Sequence, residues 1–215
     1  MSLNVGLIRV VTLEDEELLN LHGRLLEDRF GLQVESKCIE DQPEGIHDEA
    51  TERQAIDKIV SLAEDFEGQS KDLIFISCAA DPALEEARKE VKIPVIGAGS
   101  SCASIAMAVG SRVGVIGITQ TAPVAMKKIL RDSFVAYLRP EGVNNTLDLL
   151  VEKNRKNVID AAYKLKDLGC DVIALGCTGM TTIGIADHIR RQVDIPVVDP
   201  LIASGMIISH IGHIY

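Results

Sequence analysis

Asp72-Leu-Ile-Phe-Ile-Ser-Cys78 and Asp171-Val-Ile-Ala-Leu-Gly-Cys177 decide how this chain is read. Each is a short continuous apolar run, the pattern of a strand buried on both faces. Each delivers a thiol to the carboxyl end of that strand, shortly before a helix start. The likeness extends outward. Val5-Gly6-Leu7-Ile8 matches Val113-Gly114-Val115-Ile116, and Ile93-Pro94-Val95-Ile96 matches Ile195-Pro196-Val197-Val198. Three matched segments in the same order point to a duplicated unit.

Each half alternates strand and helix. Strands are expected near 4–10, 32–38, 72–78 and 95–96, and again near 112–118, 134–138, 171–176 and 197–198. Thr12 to Asp15 resembles a capping box for a helix with Leu18, Leu21 and Leu25 on one face. Residues 51–67 place Ala55, Ile59, Leu62, Ala63 and Phe66 at helical spacing. Asp81-Pro82 reads as an N-cap and first-turn proline for a helix through Glu90. Ser100 or Ser101 reads as the cap of the next helix, through Val109. Later helices are expected near 122–132, 153–168, 182–192 and 201–211. The fold class is therefore α/β: two pseudo-symmetric domains, each a short parallel sheet flanked by helices. The first domain covers residues 1–98, with 200–215 free to return and pack on it; the second covers 99–199. In such sheets ligands bind at the carboxyl ends of the strands.

Composition narrows the partners. With 22 Lys and Arg against 32 Asp and Glu, the formal charge is −10, which disfavours nucleic acid and anionic membranes. No apolar run approaches the ~20 residues that cross a bilayer. Five cysteines without dense spacing suit a reducing compartment, and the N-terminus lacks a signal-peptide pattern, so a cytoplasmic location is expected. The expected partner is a small molecule, and a homo-oligomer is compatible with the sequence.

A thiol facing a helix N-terminus is expected to have a lowered pKa. Ala79-Ala80 and Thr178-Gly179 are small enough for backbone N–H groups to approach a ligand and stabilise developing negative charge. Thr178 adds a hydroxyl. Thr119 and Thr121 follow the strand that matches the first one; helix capping is the alternative for Thr121, because Pro123 follows. Arg9 suits an anionic substrate or a surface position. Cys38, Cys102 and Cys170 have no counterpart in the other half and read as packing residues. No Cys-x-x-Cys motif is present around either strand-end thiol, and Gly97-Ala98-Gly99-Ser100-Ser101-Cys102 breaks the dinucleotide fingerprint at its third glycine. Neither a metal nor a cofactor is expected.

The segments Cys78-Ala-Ala-Asp81-Pro82-Ala-Leu84-Glu-Glu-Ala87-Arg88, Ile93-Pro94-Val95-Ile96-Gly97 and Leu175-Gly176-Cys177-Thr178-Gly179-Met180 resemble the aspartate/glutamate/hydantoin racemase superfamily, closest to its hydantoin racemase branch. The resemblance covers nearly the whole chain. It implies two pseudo-symmetric domains with the active site in the cleft, and cofactor-independent racemisation with Cys78 serving one substrate face and Cys177 the other. Two departures stand out. Arg9-Val10-Val11-Thr12 replaces an Asn-Pro-Asn-Thr/Ser type of loop, leaving only Thr12 by type. Gly99-Ser100-Ser101 replaces Gly-Glu-Ala. Thr12 and Ser100 join the candidate substrate contacts at these positions. The substrate is expected to be hydantoin-like or derived from an amino acid. An aspartate/glutamate racemase and a non-catalytic small-molecule binding protein stand as alternatives.

Overall fold

The chain runs through two rounds of the same strand-and-helix order. A computed structural model describes residues 2–212; Met1 and residues 213–215, the ends of the expected first domain and its returning segment, lie outside the described residues. The first round is β1 (Asn4–Arg9), α1 (Glu16–Phe30), β2 (Gln33–Cys38), α2 (Glu49–Gly68), β3 (Leu73–Ser77), α3 (Leu84–Glu90), β4 (Val95–Gly97) and α4 (Ala98–Val109). The second is β5 (Val113–Ile116), α5 (Val124–Leu130), β6 (Phe134–Leu138), α6 (Glu152–Asp167), β7 (Val172–Leu175), α7 (Gly179–Thr182), α8 (Ile185–Val193), β8 (Val197–Val198) and α9 (Pro200–Ile211). The two parallel sheets have matching orders, β2-β1-β3-β4 and β6-β5-β7-β8.

Both sheets are covered on both faces, which is why their central strands are apolar throughout. Along β3, Leu73 and Phe75 enter one core with Val5, Leu7 and Leu26, while Ile74 and Ile76 enter another with Ile8, Ala55, Ile59 and Phe66. Along β7, Val172 and Ala174 alternate with Ile173 and Leu175 in the same way. The helix that follows each sheet crosses to the other one. Cys102, Ala103 and Ala106 of α4 pack with Val113, Val115, Val172 and Ala174. Leu201 and Ile208 of α9 pack with Val5, Leu7 and Phe75. No helix among the described residues is long and apolar enough to cross a membrane.

The element order follows the sequence expectation, but the helix starts differ. Asp15 caps α1 by accepting from the Glu17 and Leu18 amides, and the buried face of that helix is His22, Gly23 and Leu26. Thr12 lies outside the helix; its hydroxyl donates to the Ile39 carbonyl and accepts from the Gln42 amide. Asp48 and Thr51 form the capping box of α2, so that helix begins two residues earlier than its apolar spacing implies. Asp81 does not cap α3. Its backbone turns to φ 54°, and its carboxylate accepts from the Gly99 and Ser100 amides at the start of α4. Ser100 and Ser101 do not cap that helix either, because both hydroxyls donate to the Gly97 carbonyl. A side chain at Gly97 would collide with the Asp81 carboxyl group, which explains the glycine there without any dinucleotide.

Candidate active site

The carboxyl ends of β1, β3, β5 and β7 converge on one cavity of about 390 Å³ between the two sheets. Arg9, Val10 and Val11 come from the first strand end, Ser77 to Ala80 from the third, Ile118 to Val124 from the fifth and Gly176 to Gly179 from the seventh. The acidic loop before α2 closes one side with Ile46, His47 and Asp48, joined by Glu49 and Glu52 of the helix itself. Thr146 completes the wall from the second lobe.

Both repeat cysteines face this space. Cys78 is half-buried and Cys177 is 8% exposed. The amide of Ala80 bonds the Cys78 sulfur; the amides of Gly179 and Met180 and the Thr146 hydroxyl serve Cys177. These donors favour thiolate, as a helix start should. Burial outweighs them. The Cys78 thiol is pushed up to about 12, by desolvation first and then by the nearby charges of Cys177, Asp81 and Glu52. Burial pushes Cys177 up to about 11. The expected lowering by a helix terminus is therefore reversed in direction. The local helix geometry also differs. Cys177 lies two residues before α7, not four before a Thr181–Thr182 cap, and the Thr181 hydroxyl instead donates to Asp199.

The remaining candidate contacts divide between wall and scaffold. Arg9, Ala79, Ala80, Thr119, Thr121, Thr178 and Gly179 line the cavity; Thr12 and Ser100 do not. Arg9 is 7% exposed, and its guanidinium donates to the Leu18 and Leu19 carbonyls of α1. Burial lowers its pKa to about 10. The Thr178 hydroxyl donates across the lobes to the Ser77 carbonyl, and the Thr119 hydroxyl donates to the Thr121 carbonyl. Thr121 is exposed and is not a helix cap, since Pro123 occupies that position of α5. Gly179 has a steric role: a Cβ there would meet Thr146 and Leu149.

Sequence reasoning missed Ser77, His47, Glu52, Thr146 and His22. The first four line the cavity. His22 lies fully buried behind it, sharing hydrogen bonds with the Ser77 and Thr182 hydroxyls. The Asp48–Thr51 spacing was a usable signal, because a capping box after an acidic loop places Glu49 and Glu52 in the first turn of α2. No comparable local signal marks Thr146 or His22.

Comparison with known proteins agrees with this architecture. The family model for Asp/Glu/Hydantoin racemase matches residues 25–204. A hydantoin racemase from Rhizobium meliloti is 24% identical over 190 residues, covering 86% of this chain and 78% of that protein. An allantoin racemase from Klebsiella pneumoniae superposes with a TM-score of 0.86 at 21% identity, over 99% of this chain and 89% of the other. A glutamate racemase from Bacillus anthracis gives 0.66 at 17% identity, over 99% and 82%. The structural likenesses show the fold. The family match spans most of the chain and includes the second sheet and both thiols, and this protein therefore belongs to the Asp/Glu/hydantoin racemase family of isomerases.

Proposed function

We propose that this racemase inverts a 5-substituted hydantoin or a related cyclic compound by a two-cysteine mechanism. The observation that carries the reading is the placement of Cys78 and Cys177 on one cavity, from matching strand ends of opposite sheets. One sulfur, as thiolate, removes the proton from the stereogenic carbon. The electron pair moves into the adjacent carbonyl, and the other sulfur, as thiol, delivers its proton to the opposite face. The sulfurs exchange roles for the other enantiomer. The Ala80, Gly179 and Met180 amides stabilise whichever sulfur is anionic, a role for the small residues different from direct contact with a substrate oxygen. Arg9, Ala79, Thr119 and Thr121 complete the substrate-facing wall.

The cavity's charge supports a ring over a dicarboxylic amino acid. Arg9 is the one Lys or Arg side chain on the wall among the described residues, and Asp48, Glu49 and Glu52 share that wall. A substrate with two carboxylates would meet more repulsion than attraction. A carbon next to a cyclic imide carbonyl also gives up its proton more readily than that of an amino-acid zwitterion. The domain division at 1–98 and 99–199, with the C-terminal helix returning to the first sheet, belongs to this reading. The crossing of α4 and α9 supports it.

NMR in deuterated solvent tests the reaction on D- and L-hydantoins beside aspartate and glutamate. Inversion with solvent deuterium incorporated at the hydantoin stereocentre is the expected result. If every compound retained both its proton and its configuration, the protein would bind without turnover and the racemase mechanism would fall.

A further inference from the structure

We infer that His22 is a positioning residue: its buried imidazole ties the two cysteine-bearing loops together across the lobe interface and so sets the placement of the thiols. The inference rests on the two-cysteine reading above for its catalytic consequence, though not for its geometry. His22 projects from α1, is fully buried and uses both ring nitrogens. Nδ1 lies 2.8 Å from the Ser77 hydroxyl and Nε2 lies 2.9 Å from the Thr182 hydroxyl. Ser77 is the last residue of β3, directly before Cys78. Thr182 is the last residue of α7, whose opening amides bond the Cys177 sulfur. A second bond runs alongside, from the Thr178 hydroxyl to the Ser77 carbonyl at 3.1 Å. One end of the bridge adjoins Cys78 and the other closes the helical turn that holds the Cys177 sulfur, and the two ends belong to different lobes.

The partner types fit the task. A neutral imidazole has one donor and one acceptor nitrogen, whereas a hydroxyl can serve as either. Two hydroxyls therefore satisfy the ring in both tautomers; two carbonyls would leave one nitrogen facing a second acceptor. Burial, with the Arg9 charge nearby, holds the ring neutral by pushing its pKa well below the usual histidine value. A neutral, doubly bonded ring is a brace. It does not reach the substrate, and the cavity wall does not include it.

His22→Phe keeps approximate volume and removes both bonds. Loss of registry between two groups that must flank one carbon is expected to lower kcat about 10²-fold, the scale of a ~1 Å misplacement. KM should stay near wild type, because the substrate-facing wall is intact. Ser77→Ala and Thr182→Val should each lose less, and neither should add to His22→Phe, since all three break one linkage. His22→Gln, which retains a donor and an acceptor, should recover part of kcat. A readout independent of turnover is iodoacetamide labelling with peptide mapping. In folded His22→Phe, Cys78 and Cys177 should alkylate faster together while Cys38 keeps its wild-type rate. Should His22→Phe fail to fold, Ser77→Ala and Thr182→Val carry the same labelling test. Unchanged labelling of both thiols, or full additivity of the three substitutions, would overturn the brace. A wild-type protein inert towards every hydantoin would overturn the racemase mechanism instead, and the labelling result would still decide the brace.

Discussion

The two lobes place a carboxylate at the same point of the fold but take it from different chain positions. In the second lobe Asp199 is the N-cap of α9 and accepts from the Leu201 and Ile202 amides, with the Thr181 hydroxyl from the cysteine loop as third partner. In the first lobe the equivalent N-cap is Gly97, and the carboxylate comes from Asp81 in the cysteine loop itself. One contact near the caps does repeat. Arg88 and Arg190 each donate from Nε to the carbonyl of the first residue of the next strand, Val95 and Val197. The swap at the caps has a consequence for the thiols. Asp81 sits three residues from Cys78 and adds repulsion to a thiolate there, whereas the causes that act on Cys177 are burial and three hydrogen-bond donors. Duplicated strands therefore carry unequal cysteines, and Cys177 is the one whose ionised form is better supported.

The sharpest way to break the comparison is to remove one thiol at a time. Cys78→Ala and Cys177→Ala should each abolish racemisation, a loss on the scale of the 10²–10⁴-fold or more that a positioned acid or base contributes. Each single variant should retain slow solvent exchange on one enantiomer alone, and the two should choose opposite enantiomers. Chiral chromatography with mass spectrometry reads both outcomes.

The cap swap can be reversed by design. Asp81→Ala leaves the buried Gly99 amide and its neighbour without an acceptor and should cost about 2–4 kcal/mol in urea unfolding. Gly97→Asp alone should also destabilise, because the new Cβ occupies the space of the Asp81 carboxyl. The double variant should recover at least ~1 kcal/mol relative to Asp81→Ala, as Gly97 already has the extended backbone that Asp199 uses. A double variant no more stable than Asp81→Ala would mean that the two caps are not equivalent.

The pH dependence has a definite sign. Both thiols have folded pKa values above the ordinary thiol value, so the folded state holds protons that the unfolded state releases. Their contribution is fully present below pH ~9. It is lost as pH rises towards about 11 for Cys177 and about 12 for Cys78. Stability followed by denaturant titration should fall over this alkaline window, and less steeply in either Cys→Ala variant. A smaller effect separates the thiols. Thr146→Val removes one donor from Cys177 and should slow its alkylation about threefold, the size of one weak hydrogen bond, leaving Cys78 unchanged. An equal change at both would show that the Thr146 hydroxyl is not selective.

Much of the fold was legible because it is written in local pattern. Runs such as Leu73 to Ile76 alternate between two cores with period two, and Ala55, Ile59, Ala63 and Phe66 recur with helical period. Such signals need only nearest neighbours to read. The Asp81 cap was misassigned because Asp-Pro before an apolar segment is a good local cap, and a positive φ at Asp81 and Ala83 redirected it to a helix eighteen residues away in sequence. His22 looked like one more helical residue, since its two partners lie 55 and 160 residues distant. Thr146 lay in a stretch without periodicity.

The sequence by itself determined the duplicated α/β plan, the succession of strands and helices along the chain, and a thiol at each of two matching strand ends. Those depend on local apolar periodicity and on where a strand must stop. The tertiary structure alone decided which carboxylate caps which helix, how His22 links the lobes, and that both thiols are harder to ionise than a free one. Desolvation is a sum over everything that surrounds a group, most of it far away along the chain. That is why a helix start visible in the sequence gave the wrong direction for the pKa of a buried sulfur.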